Sequence, residues 1–250
     1  MKRLEIHKQA FDWTDRDEWL APENDWSTPI HLRLVTDEIA WVVSHLDGMD
    51  TCIQAGGNIG LWPACYAKEF NHVITFEPAA DSFACMKSNL AELDNVEIYN
   101  AAVGDSNTPV TLKRPPNKQD RSGACYVEPD RLGLIKQVRI DDIEVSGRVD
   151  LIHLDIEGGE FAALRGAANT IKQHNPAIVI ENRPLAHMKV TPAQAVDFLK
   201  GLGYKISVQR QHDIILKRKP AGAGQWGVVL VTQDALYKCA SKTMTRSGLL

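Results

Sequence analysis

The segment Ile53-Gln54-Ala55-Gly56-Gly57-Asn58-Ile59-Gly60 constrains this chain more than any other. A β-branched and aliphatic run, Asp50 to Ala55, enters a glycine-bearing turn that opens a helical stretch, Asn58 to Glu69. Glycines there allow unusual dihedrals and close backbone approach, and free N–H groups at a helix start favour a polar or anionic ligand group. The next apolar run, His72 to Glu77, ends in Thr75-Phe76-Glu77-Pro78. Glu77 follows Gly56 by about 20 residues, the interval at which a carboxylate accepts the ribose hydroxyls of an adenosine cofactor. A solvated or capping carboxylate is the plainer alternative for Glu77. Spacing alone leaves nicotinamide dinucleotide and S-adenosylmethionine both open.

Further runs at Val96 to Ala101, Val149 to Asp155 and Ala177 to Glu181 alternate with amphipathic stretches at Ala80 to Glu92 and Glu160 to Gln173. That alternation predicts a doubly wound α/β fold with a mostly parallel sheet. After the Thr191 N-cap and Pro192, Ala193 to Leu202 reads as a helix. Tyr204 to Gln209, Asp213 to Lys217 and Trp226 to Thr232 read as strands pairing antiparallel at a sheet edge. Lys113 to Leu134, with Pro115-Pro116 and Ser122-Gly123, is polar and interrupts the alternation, as an insertion or lid near a site does. The resulting division is an N-terminal helical cap over 1–49, a main domain over 50–235 and a tail over 236–250. Helical spacing within the cap is confined to Pro29 to Leu46.

Composition narrows the function classes. A formal charge of -4 offers no basic field to attract nucleic acid. Cys52, Cys65, Cys85, Cys125 and Cys239 are scattered without a C-x-x-C pair, which argues against a disulfide framework or a thiolate zinc site. The charged start Met1-Lys2-Arg3 lacks the apolar stretch of a signal peptide, and no apolar run is long enough to span a bilayer. These features predict a cytoplasmic protein without a membrane partner.

Between Asp50 and Lys217 the sequence resembles the FkbM family of S-adenosylmethionine-dependent methyltransferases. The resemblance is carried in order by Gln54-Ala-Gly-Gly-Asn-Ile-Gly60, Phe76-Glu77-Pro78, Asn100-Ala-Ala-Val-Gly-Asp105 and Arg139-Ile-Asp-Asp-Ile143. It continues through Leu154-Asp-Ile-Glu-Gly158, Glu160, Leu164-Arg-Gly-Ala167 and Ile180-Glu181. It implies a class I methyltransferase fold of the Rossmann-like type, and O-methylation of a sugar or other small hydroxylated metabolite, a small-molecule or glycan acceptor. Gln54, Gly56, Asn58, Gly60, Glu77, Pro78, Ala102 and Val103 are the implied cofactor contacts. The family has an acid where this chain has Gln54, which offers only neutral hydrogen bonds. Asp105 is either an adenine contact or a turn residue.

At the ends of the fourth and fifth runs stand Asp155 and Glu181, the candidate catalytic carboxylates, with Asn182 beside them. Asp155, Glu181 and Asn182 are similar to the acid, acid-Asn set of catechol-type O-methyltransferases and are candidate ligands for Mg²⁺ or another divalent cation. The competing assignment bonds Glu181 to a substrate sugar or to Arg183 without metal. His153 suits a core position, while Glu157 and Glu160 serve either the substrate or a helix dipole. Rival functions are a non-catalytic adenosine-cofactor-binding module and, less well supported, a nicotinamide-dependent oxidoreductase, for which no Tyr-x-x-x-Lys pair is evident.

Overall fold

The computed structural model describes residues 2–6, 9–13, 28–116, 118, 121–185, 187, 190–210, 213–218 and 229–230. It opens with an antiparallel hairpin, β1 (Lys2–Ile6) and β2 (Gln9–Trp13), followed by α1 (Thr28–Val43). Helix α1 overlaps the stretch Pro29 to Leu46, where helical spacing was expected, and the hairpin precedes it. Leu4 and Ile6, and likewise Phe11 and Trp13, recur at period two, the spacing of strands, and Leu4 lies opposite Phe11. Trp19, Trp26 and the tail at 236–250 lie outside the described residues.

The main body then runs β3 (Thr51–Ala55), α2 (Leu61–Tyr66), β4 (His72–Phe76), α3 (Ala80–Asn89) and β5 (Val96–Tyr99). Four short strands follow: β6 (Ala102–Val103), β7 (Val110–Lys113), β8 (Tyr126–Pro129) and β9 (Gln137–Val138). Next come β10 (Val149–Leu154), α4 (Glu160–Arg165), α5 (Ala168–His174), β11 (Ala177–Glu181) and α6 (Pro192–Gly201). The last elements are β12 (Tyr204–Gln209), β13 (Asp213–Arg218) and β14 (Val229–Leu230).

The central sheet has the order β14-β12-β13-β11-β10-β3-β4-β5. Strands β5, β4, β3, β10 and β11 are parallel, and β13 runs antiparallel to both β11 and β12. This is the doubly wound sheet of the class I methyltransferase type. The edge pairing expected for β12 and β13 is present, whereas the described part of the third run, β14, pairs parallel to β12. Strand order reverses between β3 and β10, so a crevice opens beyond their carboxyl ends, where such sheets bind ligands.

Alternate residues of each strand feed opposite layers. Ile53, Ile74, Ile152, Leu154, Ile178 and Ile180 share one core with Leu164, Ile171 and Leu199 of the helices on that face. Cys52, Val73, Leu151, Val179 and Ile215 share the other with Val35, Ile39 and Val42 of α1 and Tyr66 of α2. Burial on both faces explains why the central strands are nearly continuous apolar runs.

Two helices are shorter than their periodicity implies. Asn58 (φ 46) and Gly60 (φ 99) hold left-handed conformations, which delays α2 until Leu61. The stretch from Glu160 breaks into α4 and α5 at Gly166, where a Cβ would lie 1.9 Å from the Gly104 carbonyl oxygen. At α6 the expected cap is complete: the Thr191 N–H donates to Gln194 Oε1 at 2.9 Å, and Pro192 follows. Hairpin and body are joined at Asp12, whose N–H donates to Asn89 Oδ1 at 2.6 Å. Among the described residues no helix is long and apolar enough to cross a membrane.

Candidate active site

A cleft opens at the carboxyl ends of β3, β4 and β10 and is lined by Gly56, Asn58, Glu77, Pro78, Ala102, Val103 and Asp155. Six of the eight sequence-derived cofactor contacts therefore converge. The polar segment between Lys113 and Leu134 closes one side, contributing Lys118, Arg121, Ser122 and Tyr126 to the lining. Ser122 Oγ donates to Asn58 Oδ1 at 2.8 Å, which ties this segment to the glycine turn.

Gly56 (φ 90) is required by the approach of two strand ends, since a Cβ there would lie 1.9 Å from the Asp155 carbonyl oxygen. The turn does not, however, present a row of free donors. The N–H groups of Gly56 and Gly57 both donate to Phe76 O, that of Gly60 to Gly57 O, and that of Asn58 to Glu77 Oε2. The turn shapes the cleft and is braced by β4.

Glu77 is buried at the end of β4. One oxygen accepts the Asn58 N–H and the other the Ala79 N–H, each at 2.8 Å, so each keeps capacity for a further donor. Burial pushes this carboxyl up to about 7 against those two bonds, which favour the ionised form.

Gln54 and Gly60 do not line the cleft. Gln54 is fully buried between β3 and β4, opposite Thr75, whose hydroxyl donates to Gln54 Oε1 at 2.6 Å; Gln54 Nε2 donates to Ala55 O at 3.1 Å. The side chain braces the sheet beneath the turn. A Cβ at Gly60 would lie 3.3 Å from Met86 and Leu90, so this glycine serves packing against α3. Asp105 forms an ion pair with Arg165 and is absent from the lining, which favours its structural assignment.

Beyond β10, Asp155, Glu157 and Arg183 line the cleft, while Glu181 stands behind them. Arg183 Nη2 lies 2.9 Å from Glu181 Oε1 and 4.0 Å from Glu157 Oε1. Burial raises the Asp155 carboxyl, the neighbouring Glu181 raises it further, and Arg183 opposes both. Burial likewise raises Glu181, against Arg183. Glu157 is pushed up to about 7, chiefly by burial, and its Oε2 is buried without a hydrogen-bond partner.

Glu160 Oε1 accepts the N–H groups of Ile156 and Gly158 at 3.1 and 3.2 Å, closing the turn into α4. His153 is a core residue: its Nδ1 lies 2.8 Å from Tyr66 Oη, and burial holds its pKa near 3, so the ring is neutral. His187 Nε2 meets Glu157 O at 2.7 Å and its ring stacks on Tyr126 at 3.8 Å.

Of the set Asp155, Glu181 and Asn182 expected to hold a divalent cation, Glu181 has the competing partner Arg183 beside it. The Arg183 guanidinium supplies the positive charge beside Glu181, and among the described residues no group of three His, Cys, Asp or Glu is placed to hold a metal ion. Sequence reasoning missed Asp213, which faces Glu181 across the β11–β13 pairing and is pushed up to about 8 by burial and the carboxylates of Asp155, Glu38 and Glu181. Its signal was an acid heading an apolar run. Trp62, in the first turn of α2, also lines the cleft, its ring nearly perpendicular to that of His153 with centroids 4.6 Å apart.

The model of the methyltransferase FkbM domain matches residues 54–206, more than half of the chain. The chain belongs to the FkbM methyltransferase family. It is 26% identical over 151 residues to the hexuronic acid methyltransferase AglP of Haloferax volcanii, covering 59% of this chain and 62% of that protein. It is also 26% identical over 188 residues to Methyltransferase 1 of Beauveria bassiana, covering 63% of this chain and 73% of that protein. A methyltransferase FkbM structure from Methylobacillus flagellatus KT is similar at 20% identity and a TM-score of 0.48, covering 67% of this chain and 43% of that one. The match thus spans less than two thirds of the AglP chain and of that solved structure.

Proposed function

We propose that this FkbM-family chain is an S-adenosylmethionine-dependent O-methyltransferase acting on a sugar or other small hydroxylated metabolite in the cytoplasm. The observation that carries the reading is the convergence of Glu77, Asn58, Ala102 and Val103 on the cleft that also holds Asp155. The donor set suits the cofactor. Each Glu77 oxygen, already holding one backbone N–H, has room to accept a ribose hydroxyl, and Pro78, Ala102 and Val103 form a small apolar wall for a flat base. The carboxylates of Asp155 and Glu157 at one end of the cleft, and the hexuronic acid named for the relative AglP, support a hydroxylated acceptor. A net charge of -4 argues against a nucleic-acid acceptor.

Bound S-adenosylmethionine would supply a methyl group made electrophilic by its sulfonium, its carbon–sulfur bond breaking to leave S-adenosylhomocysteine. Asp155, half-buried at the end of β10, orients the acceptor hydroxyl and takes its proton as the new carbon–oxygen bond forms. Its raised pKa keeps it basic enough for that role near neutral pH. Glu181 acts through Arg183, holding the guanidinium at the cleft wall. Alignment of nucleophile and methyl group supplies much of the acceleration, and the wall formed by the segment around Ser122 excludes water. The chemistry is assigned without a divalent cation, whose place beside Glu181 Arg183 takes. Transfer of isotopically labelled methyl to a panel of glycosides tests this. Label in a base-stable ether, lost in Asp155→Asn, is expected; cofactor binding without transfer to any hydroxylated acceptor would favour the binding-module alternative.

A further inference from the structure

The acceptor half of the cleft carries a recognition pattern of its own. Arg183 is anchored through Nη2 by Glu181, yet its Nε is buried and has no hydrogen-bond partner. A buried donor on a cation is costly to leave unsatisfied, and its strongest partner is an anionic oxygen. Lys118 lines the same cleft, and its charge acts on Glu157, the carboxylate that Arg183 also faces. Trp62 is also on this side, because its ring rests on His153 of β10, two residues before Asp155. An aromatic face, two cations and the Asp155 carboxyl therefore surround one volume.

We propose that Lys118 and Arg183, with Trp62 as the apolar platform, form a subsite for a sugar ring bearing a carboxylate. The inference rests on the methyltransferase reading and specifies its acceptor. A single-charged planar carboxylate matches the guanidinium and tolerates Asp155 and Glu157 nearby, where a phosphate dianion would meet stronger repulsion. The ring's apolar face lies on Trp62 while its carboxylate turns to Lys118 and to the exposed part of the Arg183 guanidinium, whose side chain is 38% exposed and lines the cleft.

The test titrates the protein saturated with S-adenosylhomocysteine against methyl β-D-glucuronide and methyl β-D-glucoside, which differ in the carboxylate. Wild type should prefer the glucuronide by about tenfold, the value of one charge-assisted bond. Arg183→Gln and Lys118→Gln should each reduce that preference to less than about threefold with S-adenosylhomocysteine affinity unchanged. Arg183→Lys should restore part of it, and Trp62→Leu should weaken both glycosides alike. Lys118→Gln changes a residue outside the core, so the test does not depend on the fold surviving the Arg183 variants. Equal binding of the two glycosides, no binding of either, or variants that weaken S-adenosylhomocysteine instead would overturn the inference. Failure of wild type to bind S-adenosylhomocysteine would instead overturn the methyltransferase reading beneath it.

Discussion

Glu77 Oε2 accepts the backbone N–H of Asn58 at 2.8 Å, so the carboxylate at the end of β4 also holds the left-handed residue of the glycine turn. One side chain thus couples the turn to the cofactor half of the cleft. Glu77→Ala should weaken S-adenosylmethionine binding by about 2 kcal/mol and also lower folding stability by about 1–3 kcal/mol, because two backbone donors lose their acceptor. Calorimetric titration and urea denaturation separate the two losses. Unchanged stability would show that the two backbone bonds are dispensable.

The same carboxylate gives binding a pH dependence. Ribose hydroxyls donate to the ionised form, and burial pushes Glu77 up to about 7. Affinity for S-adenosylmethionine should therefore fall as pH drops from 8 to 6 in wild type and stay flat in Glu77→Gln. A flat wild-type profile contradicts the ribose assignment.

Folding stability should change in the opposite direction. Glu77 and Glu157 are pushed up to about 7 and Asp213 to about 8, above their unfolded values near 4. The folded chain then binds more protons than the unfolded one, so the contribution is fully present below about pH 4 and is lost as pH rises to about 8. Urea denaturation of the ligand-free protein should give a lower stability at pH 8 than at pH 6, by at least about 1.4 kcal/mol, the worth of one pKa unit. Equal or greater stability at pH 8 would contradict the burial of these acids.

Asp155→Asn should reduce turnover by about 10²–10⁴-fold while leaving cofactor affinity within a small factor, because it removes the proton acceptor and not the Glu77 contacts. Chelator should leave wild-type turnover intact, since Arg183 stands beside Glu181. Loss of activity in chelator, restored by Mg²⁺, would reinstate the cation.

Much of this architecture was legible because buried parallel strands read as apolar runs, and an acid that ends one stands at the carboxyl edge. Glu77 and Asp155 were found that way. Gln54 was misplaced for a related reason: sequence period fixes its face of the strand but not the contact with Thr75 that turns it into the sheet. The donors of the glycine turn, the bond from Ser122 to Asn58 and the Asp213 opposite Glu181 depend on contacts between distant segments, which leave no local periodicity. Arg183 was visible as one of two partners for Glu181, and only the folded geometry shows it beside that acid.

The most direct test of the central claim is calorimetric titration of the wild-type protein with S-adenosylmethionine and NAD in parallel. The cleft predicts one S-adenosylmethionine per chain, weakened by Glu77→Ala, and no measurable heat with NAD. Binding of NAD without S-adenosylmethionine, or of neither, would contradict it.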